Sequence, residues 1–373
     1  MDRQGVLRRA EKSFQAALTV QFTHAESYRW LATVQCLLAQ YDDADKNYEQ
    51  AADKNYEQAK EKANQQKLPE RFQYVFEWAE APLRRKKPDL AEARSRAKQL
   101  DGEPQNESAR LFAAWLRGDL KQAEGDIEGA CREYESVLPG DVDAMHGYLL
   151  FSRAVARWTD LQRSDPNDRQ RWAKENKGKC DSAVADLEKC FTLVSGRQTV
   201  AQSHALLRSL YYLKAKMEDG TEYYQQSLLH VERAIELAPR GPQVSEWKAF
   251  GSALIWLLMD VKEGQPVAAP KRLIERHEQA VKWFAESKAG AKDPVFLRNW
   301  DTNAVKVLTR TSQVLRTIRD ATAGLSQNEK EALLARANAT IKACARLAEN
   351  IGSGDVRPQA IAQIDEMKKL LTQ

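Results

Sequence analysis

The chain has 373 residues (42.3 kDa), with 57 Lys+Arg against 53 Asp+Glu and a formal net charge of +4. This length, with 43% hydrophobic and 29% charged residues, excludes a disulfide-stapled miniprotein, a disordered acidic tail and a membrane-embedded chain. Gly (17) and Pro (12) are too scarce for a sheet with many tight turns, so an all-α protein is expected. The near balance of charge argues against a dedicated nucleic-acid binder.

In chain order, Met1-Asp2-Arg3-Gln4-Gly5 leads into charged sequence, with no apolar core of a signal peptide. Residues 4–20 read as a helix carrying Ala10, Phe14 and Ala17. Tyr28, Leu31 and Ala32 mark the next helix. Ala44, Tyr48 and Ala51 follow, each 34 positions after its counterpart in the first set. Together they read aromatic-x2-Leu-small, then Ala-x3-aromatic-x2-Ala. Small residues let two antiparallel helices approach closely, and the aromatics and Leu fill the groove between them. One such hairpin cannot bury its own apolar face, so neighbours must stack. The pattern resembles the tetratricopeptide repeat, and the resemblance extends over roughly residues 1–290. It implies a right-handed α-solenoid of stacked antiparallel helix pairs.

Further copies keep part of the register. The octet Ala-Asp-Lys-Asn-Tyr-Glu-Gln-Ala occurs twice in succession, at 44–51 and 52–59. Eight residues turn a helix by 2.2 turns, so the copies face about 80° apart. The second copy is expected to lengthen one helix without breaking it. Residues 4–20 match a second helix with no first helix before them, which leaves a cap, a contact with another copy of the chain, or part of a longer protein. Segments 72–100 and 168–195 read as helix pairs of poor register. Trp115, Gly118, Ala130, Tyr134 and Val137 form another copy, with Gly125-Asp126 as its turn. Tyr211, Ala215, Val231, Ala234 and Pro239 form the next, and Trp247-Lys248-Ala249-Phe250-Gly251 opens one more before the long loop at 264–270. The apolar run 250–261 is about a dozen residues and contains Asp260, which fits a buried helix and is too short for a membrane span. Residues 295–323 keep a helical stripe. Ser326 and Glu329 have capping-box spacing and open a helix to about Asn350. A last helix over 357–372 turns Ile361, Ile364, Met367 and Leu371 inward. All twelve prolines fall between periodic stretches. The expected organisation is N-terminal repeats over 1–150, central repeats over 151–292 and a helical cap over 293–373.

No residue set announces catalysis. The five cysteines show no CxxC or zinc spacing and suit small buried residues in a reducing cytoplasm. HExxH, GxSxG, GxGxxG and the phosphate-binding loop are absent. Ser245-x2-Lys248 stands without the companion motifs of serine–lysine enzymes. Asp141, Asp143 and His146 could in principle hold a metal, but Asp after Pro139-Gly140 more often caps the next helix, so neither metal nor cofactor is expected. The basic run Arg84, Arg85, Lys86, Lys87 reads as a solvated loop, with docking of an acidic partner or RNA phosphates as its alternative; interleaved aromatics for base stacking are lacking. Lys306, Arg310 and Arg316 form a second, solvated basic row.

The resemblance implies an interaction surface on the concave wall, lined by the first helix of each pair. The family register puts Glu26, Arg29, Thr33, Trp115, Tyr212, Lys216, Ser245, Lys248 and Ser252 on that wall. Some family members clamp a terminal carboxylate with Lys and Asn; here Arg29 and Lys248 supply the cation, and Thr33 and Ser252 replace Asn. The expected role is a non-catalytic protein–protein scaffold for a peptide or protein segment, with acidic residues suiting the Arg, Lys, Tyr and Trp of the wall. A regulatory segment of a bacterial Ser/Thr kinase or regulated protease is the alternative, and a helical enzyme or RNA binder the lesser one.

Overall fold

A computed structural model describes the chain apart from residues 1–2, 22–23, 42–45, 69–70, 86, 102–105, 139–143, 164–168, 219, 239–242, 260–269, 290–293, 323–324, 353–355 and 373. The described residues form helices and contain no strand. They group into two compact units, residues 1–167 with 178–193, and residues 168–177 with 194–373.

The first unit holds α1 (Arg3–Val20), α2 (Ala25–Tyr41), α3 (Lys46–Gln65), α4 (Arg71–Glu80), α5 (Leu90–Asp101), α6 (Glu107–Glu124), α7 (Ile127–Glu135) and α8 (Ala144–Arg163), with residues 178–193 of α9 (Arg169–Leu193). Successive helices pair as α2 with α3, α4 with α5 and α6 with α7. Each second helix then packs on the next first helix: α3 on α4, α5 on α6, α7 on α8. First helices also touch one another, α4 with α6 and α6 with α8. Local chemistry sets these breaks. Asn106 caps α6 by accepting from the Ala109 N–H at 3.1 Å. Gly125 ends it with φ of 91°, a left-handed conformation that favours glycine, and Asp126 caps α7 through the Gly129 N–H at 2.9 Å. The expected turn at Gly125-Asp126 is present.

The described part of the two octets, residues 46–59, lies in one helix, α3, and the second copy is buried in the core. Ala52, Tyr56, Ala59 and Ala63 are buried on α3. The buried Ala-x3-Tyr-x2-Ala set thus lies eight residues later than the 34-residue spacing gives. Ala44 and the Tyr48 side chain lie outside the described residues. Residues 72–100 do form a pair, α4 and α5, joined by a 3-10 turn at Ala81–Arg84. Residues 169–193, by contrast, are one helix. No proline interrupts that stretch, and its one glycine, Gly178, is tolerated inside the helix, so it runs on where a pair was expected.

The second unit contains α10 (Arg197–Glu218), α11 (Thr221–Leu237), α12 (Val244–Leu258), α13 (Pro270–Ala289), α14 (Pro294–Ala321), α15 (Gln327–Glu349) and α16 (Arg357–Thr372). The pairs are α10 with α11 and α12 with α13, and α11 packs on α12. Then the pattern changes: α13 meets both α14 and α15, and α16 packs on α14 and α15. This helical group buries Trp300, Leu308, Leu315, Ile341, Leu347, Ile364 and Met367 against Ile274, Val281 and Phe284 of α13, covering the end of the stack. Glu329 accepts from the Ser326 backbone at 3.0 Å and from its hydroxyl at 2.6 Å, the expected capping box. On α16 the inward stripe is Ala360, Ile364, Met367 and Leu370, while Ile361 is exposed, so the expected stripe is corrected at its N-terminal end. Leu371 lies outside the described side chains. Pro270 and Pro294 open α13 and α14, where the missing N–H has no partner to lose. None of the described helices is long and apolar enough to cross a membrane.

Candidate functional site

In the first unit the first helices carry a connected row of polar side chains. Arg29 on α2 donates from Nε to Glu77 on α4 at 2.7 Å, and Gln73 donates to the other Glu77 oxygen at 3.0 Å. Burial disfavours the Arg29 cation, but Glu77 outweighs that cost and its pKa lies above the ordinary value. Thr33 and Tyr56 share a hydrogen bond of 3.1 Å. One turn beyond Glu77, Glu80 pairs with Arg84. Surrounding protein desolvates Arg84, yet Glu80 and its neighbours hold its pKa above the usual value. On α6, Asp119 accepts from the buried Tyr134 hydroxyl at 2.7 Å. Desolvation first, and Glu80 second, push the Asp119 carboxyl pKa well up.

Beside this row lies an aromatic one. Phe76 sits 5.2 Å from Phe112 and 4.9 Å from Trp115, and Trp115 stacks on Tyr148 of α8 at 6.0 Å. Glu26 is exposed and accepts from the Trp30 indole at 3.2 Å.

Two of the four residues of the basic loop are ion-paired within the fold. Arg84 is paired as above. Arg85 and Arg96 together hold Asp53 and Glu92, with Arg85 to Glu92 at 2.6 Å and Arg96 to Asp53 at 3.3 Å. Arg96 also donates to the Trp78 carbonyl at 2.7 Å. Between them the two arginines tie α3, α4 and α5 together. Lys87 is exposed and Lys86 lies outside the described residues. Sequence reasoning missed the acidic partners because they lie 32 positions upstream and 7 downstream of Arg85. Asp141 and Asp143 also fall outside the described residues, and His146 is buried on α8. No group of three or more His, Cys, Asp or Glu able to hold a metal occurs among the described residues.

In the second unit Tyr212 of α10 meets Phe250 of α12 edge-on at 5.1 Å and Tyr224 of α11 at 5.7 Å. Lys216 is exposed, with Nζ 4.4 Å from the Tyr212 ring centre. Ser245 is half-buried and Lys248 pairs with Glu286 of α13 at 2.7 Å. Ser252 is corrected: it is fully buried and donates to the Ala280 carbonyl at 2.8 Å, a tie between α12 and α13 rather than a wall residue. Its place beside Gly251, which packs directly against Trp283 of α13, explains the burial. A cation missed from sequence, Arg208, lies one turn before Tyr212 and stacks on Phe250 at 4.4 Å.

Two glycines set how closely the paired helices approach. A Cβ on Gly118 would stand 2.2 Å from the Tyr134 ring of α7. One on Gly251 would stand 2.6 Å from Trp283 of α13 and 2.7 Å from Val231 of α11. Both glycines follow an aromatic residue on a first helix by three or four positions, and both face a ring on the second helix.

The fold is tetratricopeptide-like. No family model matches the chain, and no curated protein does. Solved structures do resemble it. The C-terminal part of a tetratricopeptide repeat-containing protein from Cytophaga hutchinsonii is 12% identical, covering 77% of this chain and 95% of its own, with a TM-score of 0.39. The P58(IPK) tetratricopeptide domain is 14% identical over 99% of this chain and 94% of its own, with a TM-score of 0.29. A circular tandem repeat protein is 14% identical over 99% of this chain and 76% of its own, with a TM-score of 0.22. The tetratricopeptide-like pairs here rest on the packing order and the two glycine contacts, not on these superpositions.

Proposed function

We propose that the chain is a non-catalytic interaction protein that holds a segment of a partner polypeptide on the faces of its first helices. The supporting observation is the run of polar and aromatic side chains shared by α2, α4 and α6, and again by α10 and α12. Arg29, Thr33 and Trp115 belong to the first run, and Tyr212, Lys216, Ser245 and Lys248 to the second. Half-buried aromatics beside exposed charge give a segment both apolar contact and orientation, the usual makeup of energetically dominant contacts. Glu26 and Lys216 are the exposed ends of these runs. Affinity capture from the native source should recover a partner that is lost with Glu26→Lys or Lys216→Glu. Capture unchanged by both reversals, with circular dichroism intact, would reject the first-helix faces.

A further inference from the structure

The buried arginines of this protein differ in what balances them. Arg29 meets Glu77 and Arg153 meets Asp186 with Nε at 2.8 Å. In both cases the carboxylate outweighs desolvation and the guanidinium pKa lies above its ordinary value. Arg208 on α10 is the exception. Its side chain is 10% exposed, as deeply placed as any of these. Nε donates to the Ala205 carbonyl at 3.1 Å and Nη2 to the Ser209 hydroxyl at 3.1 Å, both neutral acceptors. Nη1 is buried with no hydrogen-bond acceptor among the described residues. The carboxylate that approaches it is Glu246 of α12, 3.6 Å from Nη2 and 70% exposed. Burial depresses the Arg208 pKa despite Glu246. A buried cation without a well-placed anion is costly, and a bidentate carboxylate is the group that best answers a guanidinium.

The surroundings favour an anion from outside. Lys216 rests on the Tyr212 ring, one turn and two turns along α10 from Arg208, and Lys248 lies on the facing α12. Lys248 is matched by Glu286, and Glu246 only grazes Arg208, so this face keeps an excess of positive charge. Ser209 and Ser245 add half-buried hydroxyls beside it. Glu246 stands at the solvent edge, where it can turn away without being buried elsewhere.

We infer that Arg208 is the receiving group for an acidic side chain of the partner segment, which takes the place that Glu246 occupies loosely. Lys216 then attracts the next acidic residue of the segment, and Phe250 and Tyr212 pack against its aliphatic parts. This names the chemistry of the partner for the second unit and rests on the first-helix reading above.

The test is fluorescence anisotropy of the full chain with two fluorescein-labelled decapeptides, one of alternating Glu and Gly and one of alternating Gln and Gly. The Glu peptide should bind at least about tenfold more tightly than the Gln peptide, and Arg208→Gln should remove that difference. Glu246→Gln should strengthen Glu-peptide binding several-fold, because a competing carboxylate is gone. Glu246 is exposed, so this variant stays informative even if Arg208→Gln fails to fold. Equal binding of the two peptides, or Glu246→Gln leaving Glu-peptide affinity unchanged or weaker, would overturn the site. Either result, together with partner capture still lost in Lys216→Glu, would remove Arg208 and leave the first-helix reading standing. Capture insensitive to both surface reversals would remove that reading itself.

Discussion

At the scale of single residues, close approach and buried charge decide most of what can be changed. Gly118 and Gly251 lie against rings on their partner helices, so a methyl group must push Tyr134 or Trp283 aside. Gly118→Ala and Gly251→Ala should each cost about 1–3 kcal/mol in urea unfolding, despite alanine's better helix propensity. A gain in stability would mean that the helices separate without loss. Trp247 is 3% exposed, against Ala201, Ala205 and Ala234, and Trp247→Ala should cost roughly 3–5 kcal/mol. Asp119 behaves differently, because its carboxyl pKa is raised. The native state then holds a proton that the unfolded chain releases at lower pH, so this group favours folding in acid and opposes it as pH rises through the folded pKa. Asp119→Asn keeps an oxygen for the Tyr134 hydroxyl and removes the charge. Its melting temperature should exceed that of the parent at pH 8 and converge with it near pH 4. A variant less stable than the parent at pH 8 would contradict this assignment.

At the scale of helices, the repeated octet shows what the sequence made legible and what it hid. The pattern of Ala and Tyr announced a helix pair, and α2 with α3 is one. The choice between two identical octets was not legible, since their local sequence is the same and only the facing helices distinguish them. Ala32 on α2, with Phe72 and Phe76 on α4, forms the pocket that Tyr56 fills. Removing one octet restores the 34-residue spacing and leaves an Ala-x3-Tyr-x2-Ala set for that pocket. The shortened chain should therefore fold with stability within about 1 kcal/mol of the parent. Loss of cooperative unfolding would show that the extra two turns carry packing of their own. The same limit explains α16. A period of 3.6 fixes that one face is apolar, but with apolar residues at 360, 361, 364, 367, 370 and 371 it does not fix which edge of the stripe turns inward. α14 and α15 make that choice. Placement on a first helix was legible for Arg29, Thr33, Trp115, Tyr212 and Lys216, but burial was not, since a hydroxyl as small as that of Ser252 is drawn in between α12 and α13. The partners of Arg85 and Arg208 were hidden because they come from other helices.

At the scale of the whole molecule, the two units respond to acid through different groups. In the second unit His277 is fully buried on α13, with Nε2 2.9 Å from the Thr311 hydroxyl of α14, and burial pushes its pKa down to about 3. His230 is lowered to about 4 by burial and by His204, its hydrogen-bonded neighbour at 2.8 Å. Their depressed values mean that the unfolded chain takes up protons first, below the ordinary histidine value of 6.5. Stability from these groups is complete above that pH and is lost as pH falls toward the folded values. Amide exchange in α13 should accelerate between pH 7 and pH 4, after correction for intrinsic rates, and His277→Gln should reduce that slope. An unchanged slope would show that His277 does not govern acid sensitivity. If both units hold a partner along their first helices, hydrogen exchange with the captured partner should show added protection in α4, α6, α10 and α12 with little change in α5, α7 and α11; protection confined to those second helices would contradict this.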